Sequence, residues 1–199
     1  IIYPVVDETW NIDKKKEAFV LKAIEEVNNT DSCECYISIH LGGYLVIGGN
    51  KKAVPLLLKK LPQEGDYPFK LINHGAFHTP LLHDVSSRAF QDLSNLVFQK
   101  PKLPIIDGRG KIWSPYSVNL DDLYNYTLGH QVVEPYDFTT AITVGLKEFN
   151  PDHILLLGPG SSLGGVLGQT MVQSNWNNQR NKAEFSKQQK EKEPFLITL

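Results

Sequence analysis

The hydrophobic and polar positions in the first third of the chain predict a regular succession of short strands and helices. A β-branched run over residues 1–6 predicts a strand, and apolar residues at helical spacing over 19–27 predict a helix. Residues 35–47 alternate with a period of two on both sides of two glycines, which indicates a β-hairpin. A second helix over 54–61 and a short strand over 69–72 complete the series. This order, strand, helix, strand, strand, helix, strand, is that of a ferredoxin-like βαββαβ unit.

The rest of the chain has the pattern of an α/β layer, in which helices alternate with apolar strands. Pro80 begins a helix whose apolar residues recur at helical spacing and predict a buried stripe: Leu82, Val85, Ala89, Leu93 and Leu96. The run from Ile154 to Leu157 is continuously apolar, which is typical of a parallel strand buried on both faces. We therefore expect an α/β protein with a ferredoxin-like subdomain over residues 1–73 and an α/β portion over residues 74–199.

Composition and charge exclude several classes of protein. The chain has 199 residues, of which 41% are hydrophobic and 21% are charged, and its formal net charge is -2. This apolar content is too high for a disordered chain, no apolar run is long enough to span a membrane, and a nucleic-acid binder would have a basic excess. Only two cysteines occur, Cys33 and Cys35, too few for a disulfide framework. We therefore predict a cytoplasmic protein with reduced thiols and with no nucleic-acid or membrane partner.

The first residue is Ile1, and the only methionine in the chain is Met171. The opening residues also lack the basic flank and the small-residue cleavage site of a signal peptide. We therefore expect that a further segment of the protein precedes Ile1.

The densest group of reactive side chains lies at residues 74–82, where the chain leaves a predicted strand and enters a helix. Loops at strand ends are common places for catalytic groups in α/β proteins. His78 directly precedes this helix, so its ring can be held in a cleft and act as a general base toward a hydroxyl nucleophile. A histidine that only hydrogen-bonds the loop is the alternative. A metal site that includes His74 is disfavoured, because Gly75 interrupts any helix that would align the two rings.

Three segments occur in an order and at a spacing that are typical of one enzyme family. Residues 75–82 are Gly-Ala-Phe-His-Thr-Pro-Leu-Leu, residues 131–138 have the pattern Gln-x-x-x-Pro-x-x-aromatic, and residues 157–163 contain Gly-Pro-Gly. Together they resemble the malonyl-CoA:acyl-carrier-protein transacylases and the related acyltransferase domains of fatty-acid and polyketide synthases. The hairpin that ends at 46–49 also fits, since this family inserts a ferredoxin-like subdomain just before its histidine motif. The resemblance implies that residues 74–199 are the C-terminal part of an α/β-hydrolase-like acyltransferase core.

The resemblance also implies a reaction. An enzyme of this family moves a malonyl or similar acyl group from coenzyme A to the phosphopantetheine thiol of acyl carrier protein. The exchange is ping-pong through a serine ester, with the coenzyme A thioester as substrate, no further cofactor and no metal. His78 would be the general base, and the backbone carbonyl of Gln131 would orient its imidazole. Phe77 would limit the room beside the acyl carbon, and His40, where the family often has asparagine, would line the cleft or serve a structural role.

One part of the family's machinery is not found in these residues. The family carries its nucleophile on a Gly-His-Ser-x-Gly elbow upstream of the ferredoxin-like insert, together with an arginine for the malonyl carboxylate and a glutamine near the oxyanion hole. No such elbow occurs in this chain. We therefore expect the nucleophilic serine to lie outside it.

Two alternatives remain open. Ser162 lies in Gly-Ser-Ser-Leu-Gly after an apolar strand, which is the context of a nucleophile elbow and would make the chain a serine hydrolase. Against this, no histidine follows His153, whereas the catalytic histidine of an α/β-hydrolase follows its serine. The other alternative is a fragment that binds a carrier protein or serves as a scaffold without catalysis.

Overall fold

The computed structural model describes residues 1–158, 160–191 and 193–198 and shows a mixed α/β protein with small sheets. The first elements are β1 (Ile2–Pro4), α1 (Lys14–Asn28), β2 (Cys35–Leu41), β3 (Tyr44–Gly49) and α2 (Ala53–Lys60). The next are a 3-10 turn (Pro80–Leu82), α3 (His83–Asp92), β4 (Ile105–Ile106), β5 (Ile112–Trp113) and α4 (Leu120–Asn125). A π-helical turn (Tyr126–His130) is followed by α5 (Gln131–Val133), β6 (Tyr136–Asp137), α6 (Phe138–Phe149) and β7 (Ile154–Leu156). The last are α7 (Leu163–Gln173), a 3-10 turn (Trp176–Asn178), α8 (Lys182–Gln188) and β8 (Leu196–Thr198).

The largest sheet contains four strands in the order β1, β3, β2, β6. Strand β3 is antiparallel to both β1 and β2, whereas β6 runs parallel to β2. On the other side of β1, Ile2 forms an antiparallel bridge with Phe69. The strand predicted over residues 69–72 is therefore reduced to this one bridge, because the chain enters a turn at Ile72 and Asn73 has a φ of 56°.

The predicted β-hairpin is confirmed, and its turn connects the sheet to the helices that follow. The N–H of Gly42 donates to Thr139 Oγ1 at 2.8 Å, and the N–H of Gly43 donates to Gln169 Oε1 at 2.9 Å. Gly42 has a φ of 60°, and a Cβ there would lie 2.7 Å from the carbonyl oxygen of Val166. This close approach requires glycine.

Helices α1 and α2 contribute to an apolar core together with β1, β2 and β3. Helix α1 begins at a side-chain cap, because Asp13 Oδ1 accepts from the backbone N–H groups of Lys15 and Lys16. Its buried residues recur at helical spacing: Val20, Ala23, Ile24 and Val27. We refer to residues 1–73, which contain this core, as the sheet unit.

A second apolar core lies among α6, α7, α8 and the parallel pair β7 and β8. Trp10 reaches into it from the sheet unit, and its ring centroid lies 5.5 Å from that of Phe185. We refer to residues 74–198, which contain most of this core, as the α/β part. The parallel strand predicted at Ile154–Leu157 is confirmed, but its burial is not, since Leu155 is 50% exposed and Leu157 is 76% exposed.

The buried stripe predicted for the helix after Pro80 is wrong. Helix α3 ends at Asp92, and Val85, Leu93 and Leu96 are all exposed. The buried residue of α3 is Ser86, whose hydroxyl donates to the carbonyl of Leu128 at 2.6 Å. The helix therefore makes a buried polar contact through Ser86 and an aromatic contact through the half-buried Phe90, and much of its predicted stripe stays at the surface.

Within the described residues, the helices are too short or too polar to cross a lipid bilayer. Cys33 and Cys35 are both buried free thiols. Burial is the main reason that the pKa of Cys35 rises to about 11.

Candidate active site

The candidate site is built around His78, which lies near the end of the irregular segment between Phe69 and Pro80. His78 has a φ of 56°, in the left-handed region that non-glycine residues rarely adopt. Thr79, which is fully buried, donates its hydroxyl to the carbonyl of Ala76 at 2.6 Å. A side chain held in an uncommon backbone conformation must be supported by its surroundings, and such residues cluster at functional sites.

The ring of His78 has a defined orientation. Its Nδ1 lies 2.5 Å from the backbone carbonyl oxygen of Gln131. Because a carbonyl can only accept a hydrogen bond, Nδ1 carries the proton and donates it. In the neutral imidazole the lone pair is then on Nε2, which makes no hydrogen bond to any residue that the structure describes. This is the tautomer that a general base needs.

The carbonyl of Gln131 reaches His78 because of the local helix geometry. Gln131 is the first residue of α5 and follows the π-helical turn from Tyr126 to His130. Such π-helical segments are rare and are frequent at functional sites. After α5, strand β6 brings Tyr136 against the site, where its ring centroid lies 5.4 Å from that of His78. Burial, with a smaller effect of Asp107, raises the pKa of the Tyr136 phenol.

His78 lines a cavity of about 360 Å³ between the irregular segment and the four-stranded sheet. His74 and Phe77 line it from the same segment, and Ser38 and Gly48 line it from β2 and β3. Gly48 allows the segment to lie close to the sheet, because a Cβ there would be 3.0 Å from Thr79 Cγ2 and 3.1 Å from Ala76 Cβ. The cavity therefore combines the oriented imidazole of His78 with mainly apolar walls.

The structure brings together three of the four residues predicted for the site. Phe77 lines the cavity beside His78, and Gln131 contacts the ring of His78. His40 is not among the residues that line this cavity. It lies on β2 opposite Leu45 and Asp137, and its carbonyl accepts from Thr139 Oγ1 at 3.3 Å.

The Gly-Pro-Gly loop and the rival serine lie elsewhere. Pro159 is outside the described residues, and Gly158 and Gly160 on either side of it have φ values of 82° and 74°. Ser162 is exposed, directly precedes α7 and does not line the cavity that His78 lines.

Two residues that contact Phe77 or His78 were not predicted from the sequence: Ser38 and Tyr136. Ser38 is 5% exposed and donates its hydroxyl to the carbonyl of Phe77 at 2.7 Å. Tyr136 packs on the ring of His78. The alternation over β2 places Ser38 on its polar face and carries no signal for this contact, and Tyr136 lies within residues 131–138 without a role assigned to it.

A second polar cluster lies beside the site, around the buried carboxylate of Asp107. It accepts from Arg109 Nη2 at 2.6 Å and from Trp113 Nε1 at 3.1 Å, and Arg109 in turn stacks on Tyr126. Burial alone would raise the pKa of this carboxyl, but the hydrogen bonds from Arg109 and Lys111 and the charge of Arg109 outweigh it, so the pKa is lowered. Over residues 1–158, 160–191 and 193–198 there is no group of three or more metal-ligating side chains.

The fold is similar to that of acyltransferases whose structures have been solved. No family model and no curated protein matches the chain. Solved structures that it resembles include malonyl-CoA:acyl carrier protein transacylases. The one from Xanthomonas oryzae pv. oryzae is 22% identical with a TM-score of 0.66, over 85% of this chain and 50% of that chain. An acyl carrier protein S-malonyltransferase from Vibrio cholerae is 14% identical with a TM-score of 0.65, over 100% of this chain and 54% of that chain.

A third similar structure is a type II polyketide-synthase acyl-carrier protein in complex with its malonyl-transacylase. It is 18% identical to this chain with a TM-score of 0.64, over 85% of this chain and 50% of that chain. The chain thus spans about half of the length of the structures that it matches. At these identities the likeness establishes the shared fold.

Proposed function

We propose that this chain is the histidine-bearing portion of an acyltransferase that moves a malonyl or similar acyl group from coenzyme A to acyl carrier protein. The observation that carries the proposal is the geometry of His78. It lies in a left-handed backbone conformation, lines a cavity, donates from Nδ1 to the carbonyl of Gln131 and leaves Nε2 free of bonds to the described residues. The shared fold with malonyl-CoA:acyl carrier protein transacylases supports it.

The proposed reaction uses His78 twice in a Ser-His ping-pong mechanism. In the first half, Nε2 takes the hydroxyl proton of a serine outside this chain as that oxygen attacks the thioester carbonyl, and the proton passes to the leaving thiolate of coenzyme A. In the second half, Nε2 takes the proton of the phosphopantetheine thiol, whose sulfur attacks the serine ester, and the proton returns to the serine oxygen. The carbonyl of Gln131 stabilises the imidazolium in both halves, and Phe77 faces the acyl group in the cavity.

We also propose the two-part organisation expected from the sequence. In the sheet unit, β3 lies between β1 and β2, and the Phe69 bridge lies on the far side of β1. This split βαβ arrangement supports a ferredoxin-like subdomain over residues 1–73. The parallel pair β7 and β8, covered by α6 and α7, supports a portion of an α/β-hydrolase-like layer over residues 74–199.

The proposal is tested on the protein as it occurs in its source, incubated with radiolabelled malonyl-CoA and then digested to map the label. We expect label on a serine outside residues 1–199 and transfer of that label to added carrier protein. His78→Ala should reduce transfer at least about 10²-fold, the usual contribution of a general base. His153→Ala is the matched control, because His153 Nδ1 also lies near a backbone carbonyl, that of Pro194 at 3.1 Å, but His153 is exposed.

The alternatives give different results in the same experiment. Label on Ser162 would support the serine hydrolase. A protein that binds carrier protein but takes no label would support the scaffold. Unchanged transfer by His78→Ala would refute the base assigned here.

A further inference from the structure

Strand β2 contains a β-bulge at Ser38. Ile37 pairs with Ile47 and Ile39 pairs with the adjacent Val46, so Ser38 is an extra residue that has no pairing partner on β3. Bulges redirect a side chain out of the regular alternation and are frequent beside active sites. Ser38 is nevertheless buried, which means that its hydroxyl needs a partner.

The partner of Ser38 belongs to the segment that carries the base. The Ser38 hydroxyl donates to the carbonyl of Phe77 at 2.7 Å, and that carbonyl is part of the peptide bond to His78. On the other side of His78, Thr79 is fixed by its own hydrogen bond to the carbonyl of Ala76. The left-handed conformation of His78 is therefore held between two hydroxyl contacts, of which only the one from Ser38 comes from the sheet.

The same bulge also sets the position of the residue that packs on the ring. Directly after Ser38, Ile39 pairs with Tyr136 of β6. The ring of Tyr136 lies 5.4 Å from the ring of His78, and β6 follows the helix that begins with Gln131. The bulge in β2 is thus linked to the backbone of His78 through Ser38, and to the ring of His78 through Tyr136, which pairs with Ile39.

We propose that Ser38 is a positioning residue for the catalytic base, acting through the carbonyl of Phe77. The role rests on the function proposed for His78. Without the Ser38 hydroxyl, the peptide before His78 loses the hydrogen bond that it accepts from the sheet, and the ring samples orientations in which Nδ1 no longer donates to Gln131.

The test reads the Nδ1 proton of His78 directly by NMR in the protein from its source, so it does not depend on activity. We expect a slowly exchanging Nδ1 proton that disappears in His78→Ala, which assigns it. In Ser38→Ala its exchange with solvent should be about tenfold faster, the effect of losing about one net hydrogen bond. Ser174→Ala is the matched control, because the Ser174 hydroxyl also donates to a backbone carbonyl, that of Thr170 at 2.8 Å, but at the C-terminal end of α7. It should leave the exchange unchanged.

Transfer assays on the protein from its source give the second readout. In Ser38→Ala we expect kcat to fall about tenfold with a much smaller change in KM for the acyl donor, because the variant removes one hydroxyl from the cavity wall, keeps the other lining residues and misaligns the proposed base. A Ser38→Ala variant that is less stable but keeps the wild-type exchange rate and kcat would overturn the positioning role. If the exchange rate responds to Ser38→Ala while His78→Ala leaves transfer intact, the proposed function fails and the structural coupling alone stands. Absence of the proton signal from the wild type would refute the His78 geometry, and with it both proposals.

Discussion

The sheet unit and the α/β part are built in different ways. In the sheet unit, α1, α2 and three antiparallel strands enclose one apolar core, in which Val20, Val27 and Leu57 have no exposed surface. In the α/β part, the strand pairs β4 with β5 and β7 with β8 are separate, and apolar side chains such as Leu155 and Leu157 face outward. Parallel strands are normally covered on both faces, so the two parts differ in how completely their apolar surfaces are buried.

This difference matters because His78, the proposed base, lies where the two parts meet. The backbone before His78 is held by Ser38 of the sheet unit, and its ring is held by Gln131 of the α/β part. The well-packed sheet unit is a suitable rigid support for the contact from Ser38. The contact from Gln131 depends on the α/β part, whose apolar surface is more exposed, so the stability of the α/β part should respond differently to mutation and pH.

The largest expected effect comes from a cavity in the closed core. Leu57→Ala should lower the free energy of unfolding by about 2–5 kcal/mol, because a buried leucine loses its contacts and leaves a cavity. The same change at Leu155 on β7 should cost about 1 kcal/mol or less, since that side chain is half exposed. Urea unfolding of the two variants measures both values. Equal costs would mean that the surface of β7 is covered in solution, and the contrast between the two parts would be lost.

Local patterns were sufficient to predict the first helix and the hairpin of the sheet unit. Helix α1 begins at the cap residue Asp13 and buries the residues that recur at helical spacing, and the hairpin turns at Gly42 and Gly43. Each of these features is decided by residues close together in the chain. The buried stripe predicted for α3 was wrong because burial depends on residues far away in the chain. Spacing shows which face of a helix is apolar and cannot show whether another element covers that face.

The site could be predicted only in part. His78 was found from its own segment, but its partner Gln131 lies 53 residues further along, and only the resemblance to a family connected the two. The role of Ser38 could not be predicted, because a regular alternation over β2 assumes a constant register and the bulge changes that register by one residue. Contacts between distant segments and irregular pairing are properties of the tertiary structure.

The next expected effect concerns the charged centre of the α/β part. Asp107 is 4% exposed and accepts hydrogen bonds from Arg109 and Trp113. Asp107→Asn should lower the free energy of unfolding by about 1–3 kcal/mol at neutral pH, because charge-assisted bonds are replaced by weaker ones. Asp152→Asn, at an exposed position, is the control and should have no measurable effect.

The lowered pKa of Asp107 adds a dependence on pH. A carboxyl with a lower pKa in the folded than in the unfolded chain stabilises the fold fully above its ordinary pKa of 3.8, and this stabilisation is lost as the pH falls through the folded-state value. Between about pH 6 and about pH 3 the wild type should therefore lose more stability than Asp107→Asn. Equal losses would show that the carboxylate contributes nothing to the acid sensitivity of the α/β part.

The smallest expected effect tests the contact between the two parts at the site itself. Gly48→Ala places a methyl group 3.0 Å from Thr79 Cγ2 and 3.1 Å from Ala76 Cβ, so the histidine segment must move by a few tenths of an ångström. We expect a loss of about 1 kcal/mol in stability and faster exchange of the His78 Nδ1 proton. Gly165→Ala in α7 meets nothing within 4 Å and should instead stabilise the fold by up to about 1 kcal/mol, since alanine favours a helix. If Gly48→Ala changes neither the stability nor the exchange rate, the segment before Pro80 adjusts freely to the sheet. The rigidity of the sheet unit would then not be what sets the position of His78, the proposed base.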